Sequence, residues 1–154
     1  MQRIAVFPGS FDPITLGHVD IVTRGLKIFD KIIIGIGNNA EKKYMFSVKE
    51  RENWLKKTFQ NESKIEVQIY QGLTVDFCKK MDAGFILRGL RNAADFEFEK
   101  AIAHMNAGLS SGIETIFVLS ELKYGALSSS IVRDIIRNGG DASQFLPDHV
   151  KPVK

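Results

Sequence analysis

Cysteine is almost missing from this sequence. Cys78 is the single one in 154 residues, so no disulfide can form within the chain, and nothing points to an oxidising compartment. Cys78 follows Val75 and Phe77, and in that company a thiol reads as a small buried hydrophobe rather than a nucleophile. Long apolar runs are missing too. The longest, Ile32 to Ile36, has Gly35 inside it and cannot span a bilayer. The apolar run Ile4 to Phe7 is too short for a signal peptide and stops at Pro8-Gly9, so the expectation is a cytoplasmic protein with no membrane partner. Charge of one sign is scarce: 21 basic against 18 acidic residues leave a net +3. That excess is too small to imply nucleic acid, and the basic residues are spread out instead of interleaved with aromatics. It suits a pocket for phosphorylated small molecules. The remainder is ordinary, with 44% apolar and 25% charged residues, and the length fits one domain over residues 1–154.

Short β-rich runs alternate with helical periods along the whole chain. Strands are expected at Ile4 to Phe7, Lys31 to Gly37, Ile65 to Tyr70, Phe85 to Arg88 and Thr115 to Leu119. Val22, Leu26 and Phe29 give the first helix an inward stripe. Ser47 and Glu50 have capping-box spacing and open a second helix carrying Trp54, Leu55 and Phe59, with Trp54 read as core. A third helix is expected around Thr74 to Met81. Phe98, Ile102, Met105 and Leu109 repeat at helical spacing in a fourth, as core or subunit contact. Ile131, Val132, Ile135 and Ile136 mark a C-terminal helix stopped by Gly139-Gly140. The alternation predicts an α/β, Rossmann-like, doubly wound sheet of five parallel strands with helices on both faces.

In such a sheet ligands bind beyond the carboxyl ends of the strands, near a topological switch point. The residues following the strands are Pro8 to Pro13, Asn38 to Lys43, Gln71 to Thr74, Gly89 to Arg91 and Tyr124 to Ser130, with Arg88 ending its own strand. Small residues, hydroxyls and cations gather on one rim, without a carboxylate cluster. Such a rim suits a polyphosphate better than a sugar or a metal cage. Each segment also has a bland reading. Gly9 between two prolines can be a tight turn, and His18 a helix cap or surface group. Arg88 and Arg91 can pair with Asp95 or Glu97, and the serines at 128–130 can merely cap the last helix.

Pro8-Gly9-Ser10-Phe11-Asp12-Pro13 followed by Thr15 to His18 resembles the signature of the nucleotidyltransferase superfamily with the T/H-x-G-H motif. Arg88-Gly89-Leu90-Arg91, Asp95-Phe96-Glu97, Glu99, His104 to Asn106, the serine triplet with Arg133, and Gly140-Asp141 before Phe145 to Pro147 resemble one branch, the bacterial phosphopantetheine adenylyltransferases. The resemblance runs through essentially the whole chain. It implies transfer of the adenylyl group of ATP to 4′-phosphopantetheine, giving dephospho-coenzyme A and pyrophosphate. It implies Ser10, His18, Lys42, Arg88 and Arg91 as catalytic residues, and Ser10, Lys42, Thr74 and Arg88 as the pantetheine site. It assigns ATP contacts to Ser10, Phe11, His18, Gly89, Leu90, Arg91 and Glu99, and to Tyr124, Gly125, Ala126, Leu127, Ser128, Ser129 and Ser130. It also implies magnesium held by the nucleotide phosphates, coenzyme A as feedback inhibitor, and a homohexamer. The chain departs from the family pattern at several positions. Ser10 stands for threonine, Phe98 for tyrosine, Tyr124 and Gly125 for tryptophan and serine, and Tyr44 for a proline, a change expected to loosen the loop carrying Lys42.

Three rival readings remain: another transferase of the superfamily, acting on nicotinamide mononucleotide or an alcohol phosphate; a non-catalytic nucleotide-binding module; and an RNA-binding protein or a relic of a tRNA synthetase. The last lacks both the length for an anticodon domain and a KMSKS-like loop.

Overall fold

The computed structural model describes residues 1–152. Five strands and five α-helices alternate: β1 (Ile4–Gly9), α1 (Leu16–Gly25), β2 (Lys31–Gly37), α2 (Val48–Thr58), β3 (Ile65–Tyr70), α3 (Thr74–Lys80), β4 (Phe85–Leu90), α4 (Ala93–Leu109), β5 (Glu114–Leu119) and α5 (Ser129–Arg137). The sheet is wholly parallel with order β3-β2-β1-β4-β5. The chain therefore winds outward from β1 to β3 and returns to β4 on the other side of β1. That reversal is the switch point. Among the described residues no helix is long and apolar enough to cross a membrane.

The alternation of side chains divides the core between the two faces of the sheet. Ala5, Phe7, Ile32, Ile34, Ile36 and Leu87 pack under α1, α2 and α5, where Ile21, Val22, Leu55 and Val132 close the layer. Val6, Ile33 and Ile86 face the opposite way onto Val75, Phe77 and Cys78 of α3. The four isoleucines of β2 are each at most 1% exposed, and such burial is worth about 1.5–3 kcal/mol per side chain. Cys78 is buried, as its apolar setting predicts, and burial pushes its thiol up to about 11.

The β1–β4 ladder opens the cleft. Each of the other three ladders pairs at least six residues on each strand, but β1 and β4 pair only at Ala5↔Phe85 and Val6↔Ile86. Beyond those pairs the two central strands diverge toward their carboxyl ends. β1 therefore continues through Pro8-Gly9, two residues past its expected end, because Pro8 sits where no strand asks for its missing N–H. β4 likewise runs on to Leu90 along β5.

One expectation about the helices needs correcting, and another is narrowed. α1 stops at Gly25, and Phe29 reaches the core from the turn beyond it, with its ring 5.5 Å from that of Phe85. The stripe on α4, expected as core or subunit contact, is not core within this chain, which leaves the second reading: Phe98, Met105 and Leu109 are 67%, 69% and 54% exposed, and Glu99 is the helix's one buried residue. α4 turns its ion-pairing edge inward and Phe98, Met105 and Leu109 outward. Trp54 packs edge-on against Phe46, as a core residue should.

Candidate active site

The loop after β1 sets the site's floor. Phe11 has φ 49° and points its ring down into the core, 5.6 Å from Phe7 and 5.0 Å from the imidazole of His18. At 2% exposed, it offers a ligand its backbone more than its ring. Thr15 caps α1, and His18 completes the capping box from the third helical position. His18 Nδ1 accepts the Thr15 backbone N–H at 2.9 Å, which leaves the ring proton on Nε2. Burial first, then the guanidinium groups of Arg88 and Arg91, lower the imidazole's pKa to about 4. At neutral pH His18 is an uncharged N–H donor. The bland reading of His18 as a cap is thus correct for one nitrogen and leaves the other for chemistry.

Arg88 stands at the divergence of the central strands. Its Nε and one terminal nitrogen donate to the two oxygens of Glu99 at 2.8 and 2.5 Å, and the other terminal nitrogen donates to Pro8 O at 2.7 Å. The guanidinium thus bridges the gap where the β1–β4 ladder ends. Arg91 pairs with Asp95 and also donates to Leu127 O at 3.2 Å. Lys42 reaches across from the loop after β2 and donates to Ser10 Oγ at 2.9 Å.

Two chambers meet at these residues. One, of ≈ 610 Å³, lies over β2 and β3 and is walled by Asn38 to Ala40, Tyr70 to Gly72, Thr74, Ile102, Ala103 and Asn106. Thr74 Oγ1 there shares a 2.9 Å hydrogen bond with Tyr70 OH, and the Tyr70 ring stacks on Phe77. The other, of ≈ 340 Å³, lies between the N-termini of α1 and α5 and is walled by Gly17, His18, Gly89, Arg91, Tyr124, Leu127 to Ser130 and Arg133. Both include Gly9, Ser10, Lys42, Arg88 and Glu99. His18 and Arg88 thus face one space.

Most of the residues expected at the site are brought together here, but Leu90, Gly125 and Ala126 lie outside the lining of both chambers. The Glu99 carboxylate is taken up by Arg88. The serine triplet is part cap, part wall: Ser128 Oγ accepts from Ile131 N at 3.2 Å, Ser129 donates to Pro13 O, and Ser130 Oγ accepts from Arg133. Tyr44 does not loosen its loop. Its hydroxyl accepts from Asn39 N at 2.9 Å and donates to Gly37 O at 3.2 Å, pinning the segment that carries Lys42.

Three residues went unassigned from sequence. Arg133 enters the smaller chamber and donates to Asp12 O at 2.8 Å. Asp12 is 3% exposed and accepts the backbone N–H groups of Met45 and Phe46, each at 2.9 Å. Arg51 is 1% exposed beneath the loop of Lys42. The signal available for Arg51 is its spacing: positions 51, 55 and 59 share one helix face with the apolar Leu55 and Phe59.

Gly89 decides how closely α1 approaches Arg88. A Cβ there would lie 2.8 Å from Ile21 Cγ1, on the helix that carries His18. Gly89→Ala is expected to cost about 1–3 kcal/mol of stability by overpacking. A denaturant midpoint equal to the parent's would show that the helix can yield without cost.

The fold, the switch-point cleft and the cation-lined rim define a nucleotide-handling α/β enzyme. A family model described as cytidylyltransferase-like matches residues 6–135. The chain is similar to phosphopantetheine adenylyltransferases of Flavobacterium psychrophilum (61% identical, covering 97% of this chain and 99% of the relative) and Flavobacterium johnsoniae (59%, covering 99% and 100%). That of Caldanaerobacter subterraneus is 45% identical over 97% of this chain and 93% of its own length. In fold the chain is similar to a bifunctional NMN adenylyltransferase/ADP ribose pyrophosphatase from Francisella tularensis, with a TM-score of 0.72 at 18% identity, covering 96% of this chain and 46% of that one. On identity and coverage together, the chain belongs to the phosphopantetheine adenylyltransferase family of nucleotidyltransferases.

Proposed function

We propose that this enzyme joins ATP and 4′-phosphopantetheine, with the nucleotide in the smaller chamber and the acceptor in the larger. The observation that carries the assignment is the shared wall of Ser10, Lys42 and Arg88, where two phosphates entering from opposite chambers would meet. The larger chamber combines amides (Asn38, Asn39, Asn106) with apolar surface (Tyr70, Ile102, Ala103), which fits an extended amide chain ending in a phosphate. The smaller offers the first-turn N–H groups of two helices together with Arg91 and Arg133, which fits a triphosphate.

The acceptor phosphate is an anion near neutral pH and needs no general base. Lys42 and Arg88 neutralise and aim it, and one of its oxygens attacks the α-phosphorus in line. The bond from that phosphorus to the bridging oxygen breaks, and pyrophosphate leaves with the electron pair. His18 Nε2–H and Ser10 donate to the oxygens of the five-coordinate phosphorus, where fixed donors act most strongly. Arg91 and the α5 N-terminus hold the departing pyrophosphate.

Asp12, Glu99 and Asp95 are each engaged by protein donors, and among the described residues no group of three or more His, Cys, Asp and Glu is placed to hold a metal. Magnesium would arrive on the nucleotide, where it would supply neutralisation of phosphate charge. Coenzyme A carries both a pantetheine and an adenylate part, so it would straddle both chambers and compete with both substrates. The exposed stripe on α4 supports a homo-oligomer, of which the hexamer is the expected form. Cytoplasmic residence follows from the substrates.

Pyrophosphate release tests the reading. It is expected only with ATP, magnesium and 4′-phosphopantetheine together, and not with nicotinamide mononucleotide as acceptor. Release with the mononucleotide instead, or binding of ATP without any release, would overturn it.

A further inference from the structure

Arg51 is the most completely buried charged residue described, and the chemistry above does not use it. Its position is specific. One terminal nitrogen donates to Ser10 O at 2.7 Å and Nε donates to Phe46 O at 3.2 Å, so one planar group ties the loop after β1 to the loop after β2. The Tyr44 ring lies over the guanidinium at 4.0 Å. Asp12, from the first loop, binds the backbone of Met45 and Phe46 in the second, crossing the same seam in the opposite sense. Burial lowers the pKa of Arg51, while Asp12 and Tyr44 act to raise it. Above this seam Lys42 and Ser10 make their own 2.9 Å contact. Those two groups come from separate loops, and on the surface nothing else described joins them.

We propose that Arg51 is a positioning residue for the acceptor phosphate, fixing the distance between Ser10 and Lys42 from below, with Tyr44 as the cover that holds its guanidinium flat. A buried arginine is costly and persists where several hydrogen bonds and a counter-charge surround it. Here the two carbonyls lie on opposite sides of the seam, and a rigid fork can hold both at once. Lysine keeps the charge but presents one flexible ammonium and cannot stack, so it fixes one loop at a time. Tyr44 then takes over the role of a stiff residue in the Lys42 loop, through its hydroxyl contacts with Gly37 and Asn39.

The inference rests on the proposed acceptor site, so unmodified enzyme is assayed first with 4′-phosphopantetheine. Failure of that control counts against the reaction, and only differences from it bear on Arg51. Arg51→Lys is expected to raise the acceptor KM about tenfold, with the ATP KM changed by less than about twofold, the size of effect that small misplacements produce. In a Lys42→Ala background, Arg51→Lys should add less than about twofold, because the two act on one coupled interaction. A structural role alone would give equal effects in both backgrounds and on both substrates. Tyr44→Leu removes the ring from the face of the guanidinium and should raise the acceptor KM about threefold; it decides the matter if Arg51→Lys does not fold. An acceptor KM within twofold of the parent for a folded Arg51→Lys, or for Tyr44→Leu where that variant must decide, overturns the proposal. Equal effects with and without Lys42 overturn it as well.

Discussion

Replacing His18 with alanine is expected to lower turnover about 10²- to 10³-fold while leaving the ATP KM within a few-fold of the parent. The size is that of one fixed donor lost from an oxyanion-type site. The selectivity follows from the ring's geometry. Nδ1 is used by the Thr15 backbone at 2.9 Å, so Nε2 is the one nitrogen left to donate, and its target gains charge only as the fifth oxygen bonds to phosphorus. Alanine also removes half of the capping box, which costs about 1 kcal/mol of helix stability. His18→Gln is the control: glutamine at this position can still reach back to the Thr15 N–H. It should melt like the parent and remain slow. Turnover restored by glutamine would mean that His18 serves the helix and not the phosphate. The pKa near 4 adds a second readout. Because the folded value lies below the ordinary 6.5, the ring stays neutral from pH 8 down to about 5, and the kcat/KM profile should show no His18 ionisation there. Nuclear magnetic resonance titration of the free enzyme should give a midpoint near 4 for His18. A midpoint near 6.5 would place the ring in solvent and remove the donor argument.

Much of this site was legible in the sequence because its parts follow strands. In a parallel α/β chain the residues after each strand share one rim whatever the details of packing, so Ser10, Lys42, Thr74, Arg88 and Ser128 could be grouped before any coordinates. What stayed hidden depended on rotation and on pairs. The α4 stripe has helical spacing, which specifies that its residues share a face but not that the face looks outward. The direction was set by Glu99, whose carboxylate must follow Arg88 inward. Tyr44 was misread for a similar reason. Proline stiffens a loop through its own ring, whereas tyrosine stiffens this one through partners at Gly37 and Asn39, and partners cannot be read from one position. Arg51 sits in a run of charges, Lys49-Glu50-Arg51-Glu52, of which it alone lies beneath the sheet's rim. Strand ends were short by two residues at β1 and β4, since the divergence that leaves Pro8 without a β4 partner and keeps Gly89-Leu90 paired to β5 is a property of the sheet.

Arg88 is where fold and chemistry are hardest to separate, and its removal should produce the other large effect. Of its five N–H groups, three are committed to Glu99 and Pro8, leaving one on each terminal nitrogen for an incoming phosphate. Charge-assisted hydrogen bonds are worth about 1.5–3 kcal/mol each, so losing both should raise the acceptor KM about 10²-fold or more. Arg88→Ala alone is a poor test, because it strands the Glu99 carboxylate at 8% exposure, and breaking a buried pair costs about 3–5 kcal/mol. The better experiment removes both partners. Arg88→Met combined with Glu99→Leu leaves no uncompensated buried charge and should regain most of the stability lost by Arg88→Ala, since apolar replacement of a buried pair is often close to neutral. Its acceptor KM should stay raised about 10²-fold, with the ATP KM changed far less. If the double variant instead recovers acceptor affinity along with its melting temperature, Arg88 is a structural bridge to Pro8 and the acceptor phosphate is held elsewhere. If ATP affinity alone collapses, the two chambers have been assigned to the wrong substrates.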